Sequence, residues 1–355
     1  MNDTADEKPS HVLTIADFNF DPPELPLEQL REIAGRLFHI TGTFTHLEGE
    51  RDQNCRIVSN DGHGYVLKVS STGEDQAVID FQAKALLHIE QHDATIPVPR
   101  MVHGADGEVV YWTSSDKGAH QVRMLTWLEG IRYQDGPPPS LRGLTRIGAF
   151  LARLCRALQG FTHPAQRHFM PWDITNGLLF RQQLRELLCA EVRVLVAPVL
   201  RRLEQATFPA LAGLRRQVIH QDGHGANLLR QSAASEQVAG LIDFGDMIHG
   251  PLICDLAASL SDFIHHASGP AAVAAAMCRG FNSVIPLRPA ETDLLLDLVI
   301  ARHILVLELF EFRRRNMQHP PAFVTDDQPA LIASLARLTE LDRETFNRAL
   351  RETCT

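Results

Sequence analysis

Residues 218–230 read VIHQDGHGANLLR, and residues 240–250 read GLIDFGDMIHG. Both stretches set acidic and amide side chains among glycines, between short apolar flanks that read as strands. The first is an H-x-D-x-x-x-x-N pattern formed by His220, Asp222 and Asn227; the second places Asp243 ahead of Phe244 and Gly245, with Asp246 behind them. Two carboxylates and a carboxamide brought together on loops suit a divalent cation and a proton-accepting base. Magnesium takes few protein ligands and prefers oxygen, and Asn227 and Asp243 would supply one neutral and one charged oxygen.

Working outward, the chain before these loops changes character twice. Residues 1–24 read as a flexible tail ending in a DPP breaker, and PLEQLREIAGRLFHI (26–40) as a helix with proline at its start. FTHLEG, NCRIVS and GYVLKVS are short β-branched and aromatic runs divided by Gly, Asn and Asp, hence antiparallel strands. EDQAVIDFQAKALLHIEQH (74–92) is helical again, and HQVRMLTWL returns to strand. The two glycines and three prolines of EGIRYQDGPPPS mark a junction. Beyond it the periodicity predicts helices over 140–159, 183–206, 252–267, 270–283 and 289–313, then two short ones. The expectation is an α+β, two-lobed molecule. It has a tail (1–24), a small antiparallel-sheet lobe with one helix (25–123), a hinge (124–139) and a larger helical lobe (140–355).

Composition adds one telling count. The chain carries four lysines against thirty arginines, and one lysine, Lys68, stands inside the apolar strand GYVLKVS. Period-2 alternation puts Tyr65, Leu67 and Val69 on one face and Val66 and Lys68 on the other. A lysine there can steady nucleotide phosphates, partnered by an acid on the following helix, for which Asp80 is the choice and Glu74 the alternative. The polar turn EGERDQNCRI, with Asp52 and Asn54, then reads as a loop over the phosphates. The backbone from Met124 through Thr126 to Trp127 reads as the strand meeting a purine base. In phosphoryl transfer the remaining tasks are a base, Asp222, and metal ligands, Asn227 and Asp243. Trp172 and Asp173 of FMPWDITN can form an aromatic wall and a carboxylate for an ammonium group, or Asp173 can simply cap a helix. Asp246 is a second acid placed to face an acceptor, and His224 a further contact. Asp255 reads as a support for the catalytic loop.

YVLKVS, VRMLTWLEG, HQDGHGAN and LIDFGDMIHGPLICDLA together resemble the aminoglycoside-phosphotransferase-like (choline-kinase-like) superfamily of small-molecule kinases over roughly residues 27–350. DQNCRI, PWDITN and IDFGDM are most similar to its hydroxylysine-kinase-like branch. The resemblance implies a protein-kinase-like fold and ATP or GTP as donor with Mg²⁺. It also implies a hydroxylated amine or amino acid as acceptor, with Asp222 as base, Asn227 and Asp243 on the metal, and Lys68 on the phosphates. Choline, ethanolamine, homoserine and aminoglycoside kinases are the near alternatives.

A net charge of −9 argues against nucleic acid or anionic membrane as a main partner. The six scattered cysteines contain no CxxC pair, and the first ten residues have no apolar core; both fit reduced thiols and a cytoplasmic setting. Two other classes of function fit parts of the sequence. A zinc hydrolase could use His220 and His224, four apart, but the glycines between them make a poor helix. A nucleotide-binding regulatory domain would be expected to lack the base or a metal ligand, whereas Lys68, Asp222, Asn227 and Asp243 are all present.

Overall fold

The structure is a computed structural model, and it describes residues 11–18, 20–177, 187–321, 324 and 328–354. Helix α1 (Leu27–Phe38) leads into a sheet of order β1-β2-β3-β5-β4, antiparallel throughout. Its strands are β1 (Gly42–Leu47), β2 (Asp52–Ser59), β3 (Gly64–Ser70), β4 (Val110–Ser115) and β5 (Gly118–Thr126), with helix α2 (Gln76–His92) between β3 and β4. The alternation read from GYVLKVS holds. Leu67 and Val69 are fully buried and join Cys55, Ile57, Val122 and Met124 beneath Leu30, Ile33 and Phe38 of α1, forming the core of the small lobe. Lys68 takes the opposite face.

Helix α2 belongs elsewhere. Its buried residues Phe81, Ala83, Ala85, Leu86 and Ile89 join the large hydrophobic cluster of the helical lobe. The connector is shorter than the 124–139 expected, because β6 (Ile131–Arg132) already pairs with β8 (Leu228–Arg230) of the large lobe.

In that lobe α3 (Leu141–Ala157) and α4 (Ala190–Arg202) precede two strand pairs. The first joins β8 to β9 (Val238–Leu241), and the second joins β7 (Arg216–Ile219) to β10 (Ile248–Pro251). Then come α5 (Leu252–Phe263), α6 (Pro270–Asn282), α7 (Leu295–Asn316), α8 (Gln328–Thr339) and α9 (Arg343–Cys354). The helix expected over 183–206 lies partly outside the described residues. The one expected over 289–313 divides into a short turn at Pro289–Thr292 and α7. Eighteen residues of α7 are buried on all sides of the helix, including Asp297, Arg302, His303 and Glu308. That makes α7 the central post of the lobe. Among the described residues, no helix is long and apolar enough to cross a membrane.

The segment expected as a flexible tail packs down from residue 11 onward. Leu13 and Phe18, each 2% exposed, sit against Leu305, Leu309 and Phe312 of α7. Gln53 exchanges two hydrogen bonds with the Leu25 backbone, and Lys117 pairs with Asp21, so the same segment is also fixed to the small lobe. Apolar Phe18 and Phe20 amid acidic residues were the sequence signal for this docking.

Candidate active site

Between the lobes lies a cleft of about 890 Å³ lined by Lys68, Asp222, Asn227, Asp243 and Asp246, among others. Asn227 immediately precedes β8, and Asp243 follows β9 by two residues; a backbone bond from Ile242 N to Asn227 O (3.0 Å) joins the two loops. This hairpin brings residues sixteen apart in sequence to one end of a strand pair. The backbone is left-handed at Gln221 (φ 53°) and at Asp243 (φ 63°), conformations that non-glycine residues adopt at some cost and that cluster at functional loops. Gln221 is held there. Its backbone N–H donates to Asp255 Oδ1 at 2.6 Å, and its side-chain amide to Asp246 O at 2.8 Å. Asp255 thus supports the catalytic loop, the role expected of it.

Several groups converge on Asp222. Asn227 Nδ2 donates to Asp222 Oδ2 at 2.7 Å, His224 Nε2 lies 3.3 Å from the same oxygen, and Arg302 Nη2 lies 3.5 Å from Oδ1. Burial works against ionisation, but the charge and hydrogen bond of His224, with Arg302 behind, hold the Asp222 carboxyl below the ordinary carboxylate range. Burial likewise opposes the charged form of His224, yet Asp222 outweighs it and pushes the imidazole up to about 9. Asp246 behaves oppositely. Burial dominates, and despite Arg51 Nη2 at 2.9 Å its carboxyl rises to about 6, helped by the charges of Asp222 and Asp243.

The amide nitrogen of Asn227 is spent on Asp222, so its carbonyl oxygen is the atom left to meet a cation. Asp243 adds a carboxylate whose Oδ1 also accepts from Gly245 N at 3.2 Å. This all-oxygen donor pair fits Mg²⁺ completed by phosphates and water. Among the described residues, no group of three His, Cys, Asp or Glu side chains is placed to hold a metal. The zinc reading fails locally: residues 220–227 are not helical, and buried His220 turns Nδ1 to the Asp222 backbone N–H at 3.2 Å.

Other expected site residues fall differently. Asp80 is not the acid beside Lys68. It sits on α2 pairing with Lys84 (2.6 Å) and His163 (3.0 Å), while Asp52 stands 3.1 Å from Lys68. Asp52 is therefore a partner of the lysine inside the sheet and not a loop residue over the phosphates. Asn54 lines the cleft and braces the turn, donating to Glu48 O at 3.4 Å; a Cβ on Gly49 would lie 2.5 Å from the Asp52 backbone carbonyl oxygen, so the turn favours glycine. Met124 buries its side chain in the small-lobe core and gives its carbonyl to Val102 N. Thr126 is engaged with Arg100 through both backbone and hydroxyl. The apolar part of the cleft lining comprises Leu125, Met101, Pro99, Leu86 and Ala83.

Trp172 lines the cleft, but Asp173 caps the turn Ile174–Asn176 through Thr175 N at 2.8 Å and is not among the lining residues. Arg51, Arg123, Arg302 and Arg313 also reach the cleft; Arg51 comes from the polar turn EGERDQNCRI, and Arg302 from an otherwise apolar run. Arg302 also donates to the Trp172 carbonyl. Arg51 donates to Gly245 O at 3.2 Å and lies over the Phe20 ring at 4.9 Å; Arg313 pairs with Glu50.

A small sheet bearing a lysine, closed over a helical lobe bearing paired acidic loops, is the design of enzymes that move a phosphoryl group from a nucleotide to a small molecule. The chain belongs to the phosphotransferase enzyme family, which it matches over residues 43–290. It is 26% identical over 339 residues to the hydroxylysine kinase of Danio rerio, covering 92% of this chain and 95% of that one. It is 28% identical over 182 residues to the homoserine kinase of Pseudomonas aeruginosa (strain UCBPP-PA14), covering 50% and 52%. A microcompartment-associated aminopropanol kinase shares the fold, with a TM-score of 0.66 at 19% identity, covering 92% of this chain and 98% of that one. Membership implies ATP- and Mg²⁺-dependent phosphoryl transfer, so the chain is a small-molecule kinase.

Proposed function

We propose that the protein transfers the γ-phosphoryl group of ATP or GTP to the hydroxyl of an amino acid that also carries an amine, hydroxylysine or a close relative. The observation that carries this is the mixed charge around Asp222. His224 and Arg302 flank it directly, and Asp246 shares the cleft within reach of Arg51. A zwitterionic acceptor brings a group of each sign to this cleft, whereas choline or ethanolamine brings only a cation. The coverage of the hydroxylysine kinase of Danio rerio supports the same choice.

In this reading Asp222 accepts the hydrogen bond of the acceptor hydroxyl and then its proton. His224 and Arg302 hold the carboxylate in one orientation, so catalysis rests on positioning more than on base strength. Lys68 steadies the phosphates. The Asn227 carbonyl oxygen and the Asp243 carboxylate would hold Mg²⁺, which would supply neutralisation of the phosphate charge. Trp172 walls the acceptor end, and Leu125 and Met101, side by side across a β-bridge, offer the base an apolar surface.

The test is Mg²⁺-dependent turnover with ATP and with GTP against 5-hydroxylysine, homoserine, ethanolamine, choline and an aminoglycoside. Turnover led by 5-hydroxylysine and lost in Asp222→Asn is the expected outcome. Turnover led by choline or ethanolamine would overturn the zwitterion argument. Nucleotide binding with no turnover on any acceptor would favour the regulatory-domain reading.

A further inference from the structure

Lys68 and Arg123 stand directly opposite each other across β3 and β5, on the face of the sheet that meets the cleft. Like charges in that position repel, so an acid must lie between them. Asp52 is that acid. Its Oδ2 is 3.1 Å from Lys68 Nζ and 2.9 Å from Arg123 Nη2, and its Oδ1 is 3.4 Å from Arg123 Nη1. The register explains the meeting: Asn54 is paired with Lys68, and Asp52, two residues along β2, shares its face. Asp52 is 7% exposed. Burial opposes its ionisation, but Arg123 and then Lys68 lower its carboxyl to about 2.

Helix α2 itself sets no acid against Lys68; Glu74, two residues ahead of the helix, lines the cleft and lies near enough to Arg51, Arg123 and Lys68 for their charges to act on it, without a direct ion pair to the lysine. The helix offers Gln82, whose Oε1 accepts from Arg123 Nη2 at 3.4 Å and whose Nε2 donates to Gly245 O at 3.4 Å. The helix therefore reaches the loop after Asp243 through a neutral amide, and its apolar face is anchored in the large-lobe core. The lysine and its acid, by contrast, ride on adjacent strands of one sheet.

We propose that Asp52 is the positioning residue for Lys68, locked from its far side by the Arg123 fork, so that the acid holding the lysine comes from the neighbouring strand and not from helix α2. The inference rests on the kinase reading for its purpose, but its test does not need an acceptor.

The test is a double-mutant cycle on Asp52→Asn and Lys68→Met in the full chain. It reads the affinity for the Mg²⁺ complex of a non-hydrolysable ATP analogue by calorimetry, alongside kcat, with thermal unfolding as the check on folding. Asp52→Asn is expected to weaken nucleotide binding about tenfold and kcat about 10²-fold, the size of effect that a misplaced catalytic group produces. In the Lys68→Met background the same change should add less than about threefold, because both changes act through one ammonium group. Wild-type affinity in Asp52→Asn, or equal losses in both backgrounds, would overturn the proposal. Should Asp52→Asn fail to fold, Asp52→Glu keeps the charge and moves the carboxylate by one methylene; its losses must show the same coupling to Lys68. Absence of turnover in the wild-type protein would count against the kinase reading, and the nucleotide-affinity cycle would still decide the role of Asp52.

Discussion

Asp222 is held by three neighbours of different chemistry, and each limits what a substitution there can do. Asp222→Asn keeps the shape and the link to Asn227 but removes the charge that His224 and Arg302 face. Its kcat is expected to fall about 10²–10⁴-fold, the span for loss of a general base. Nucleotide affinity should stay within a few-fold; calorimetry and steady-state rates measured together check both. At this scale the gathering of Asp222, Asn227 and Asp243 at one cleft was legible. Residues that act from loops, such as Asp222, Asn227 and Asp243, are recognisable by spacing because the loop itself sets their geometry. Asp52 was placed wrongly over the phosphates because its role depends on the pairing of Asn54 with Lys68, a register that no local pattern specifies. Asp80 has the charge but lies on the wrong element: it sits on α2 and faces Lys84 and His163, whereas the acid beside Lys68 comes from β2.

Among the elements, α7 joins the chemistry to the core. It carries Arg302 to Asp222 and Arg313 to Glu50, and between them His303, which gives Nδ1 to Val299 O at 2.9 Å and Nε2 to Ser334 Oγ of α8 at 3.1 Å. Burial pulls the His303 imidazole down to about 4, aided by its neighbours His265 and Arg302. A histidine with a depressed folded pKa is stable when neutral. The unfolded chain takes up the proton first, so stability is full above pH ~6.5 and declines as pH falls toward 4, by about 3 kcal/mol at the low end. Urea unfolding at pH 7.5 and pH 4.5 should show this loss in the wild type and a smaller one in His303→Gln. The helix was legible as an apolar run broken by charges. Its neighbours were not, and the docking of residues 11–18 on it is a long-range contact. Phe18 lies edge-on to Trp172 at 5.9 Å, with Arg313 over its ring at 5.3 Å. Phe18→Ala is expected to cost about 3–5 kcal/mol on denaturant unfolding, as for other buried aromatic truncations. It should also raise the acceptor KM more than the nucleotide KM, because Trp172 loses its support.

For the whole molecule, the two lobes are fastened across the cleft by a pair of ion pairs of opposite sense. The turn between β1 and β2 sends Glu50 to Arg313 and Arg51 to Asp246. Arg313 is only 1% exposed at its side chain, so its partner is not a surface ornament. Glu50→Lys sets a second cation against a buried one. The variant is expected to open the cleft, seen as a larger radius of gyration in solution scattering, and to raise the acceptor KM about tenfold or more. An unchanged radius with unchanged KM would show that the turn does not hold the lobes. The two-lobe order was readable from the sequence because strand-like and helix-like periodicities segregate along the chain. The clasp was not, since ERDQN reads locally as an ordinary polar turn.

The left-handed backbone at Asp243 (φ 63°) has a bearing on the protein's evolutionary options. Glycine, asparagine and aspartate are the residues that settle readily in that conformation. Asparagine is one base change from aspartate. It would preserve the turn, the strand pair behind it and the fit of the loop, while removing the negative charge from the metal side. The most accessible route out of catalysis at this position therefore leaves a folded protein with its nucleotide cleft intact.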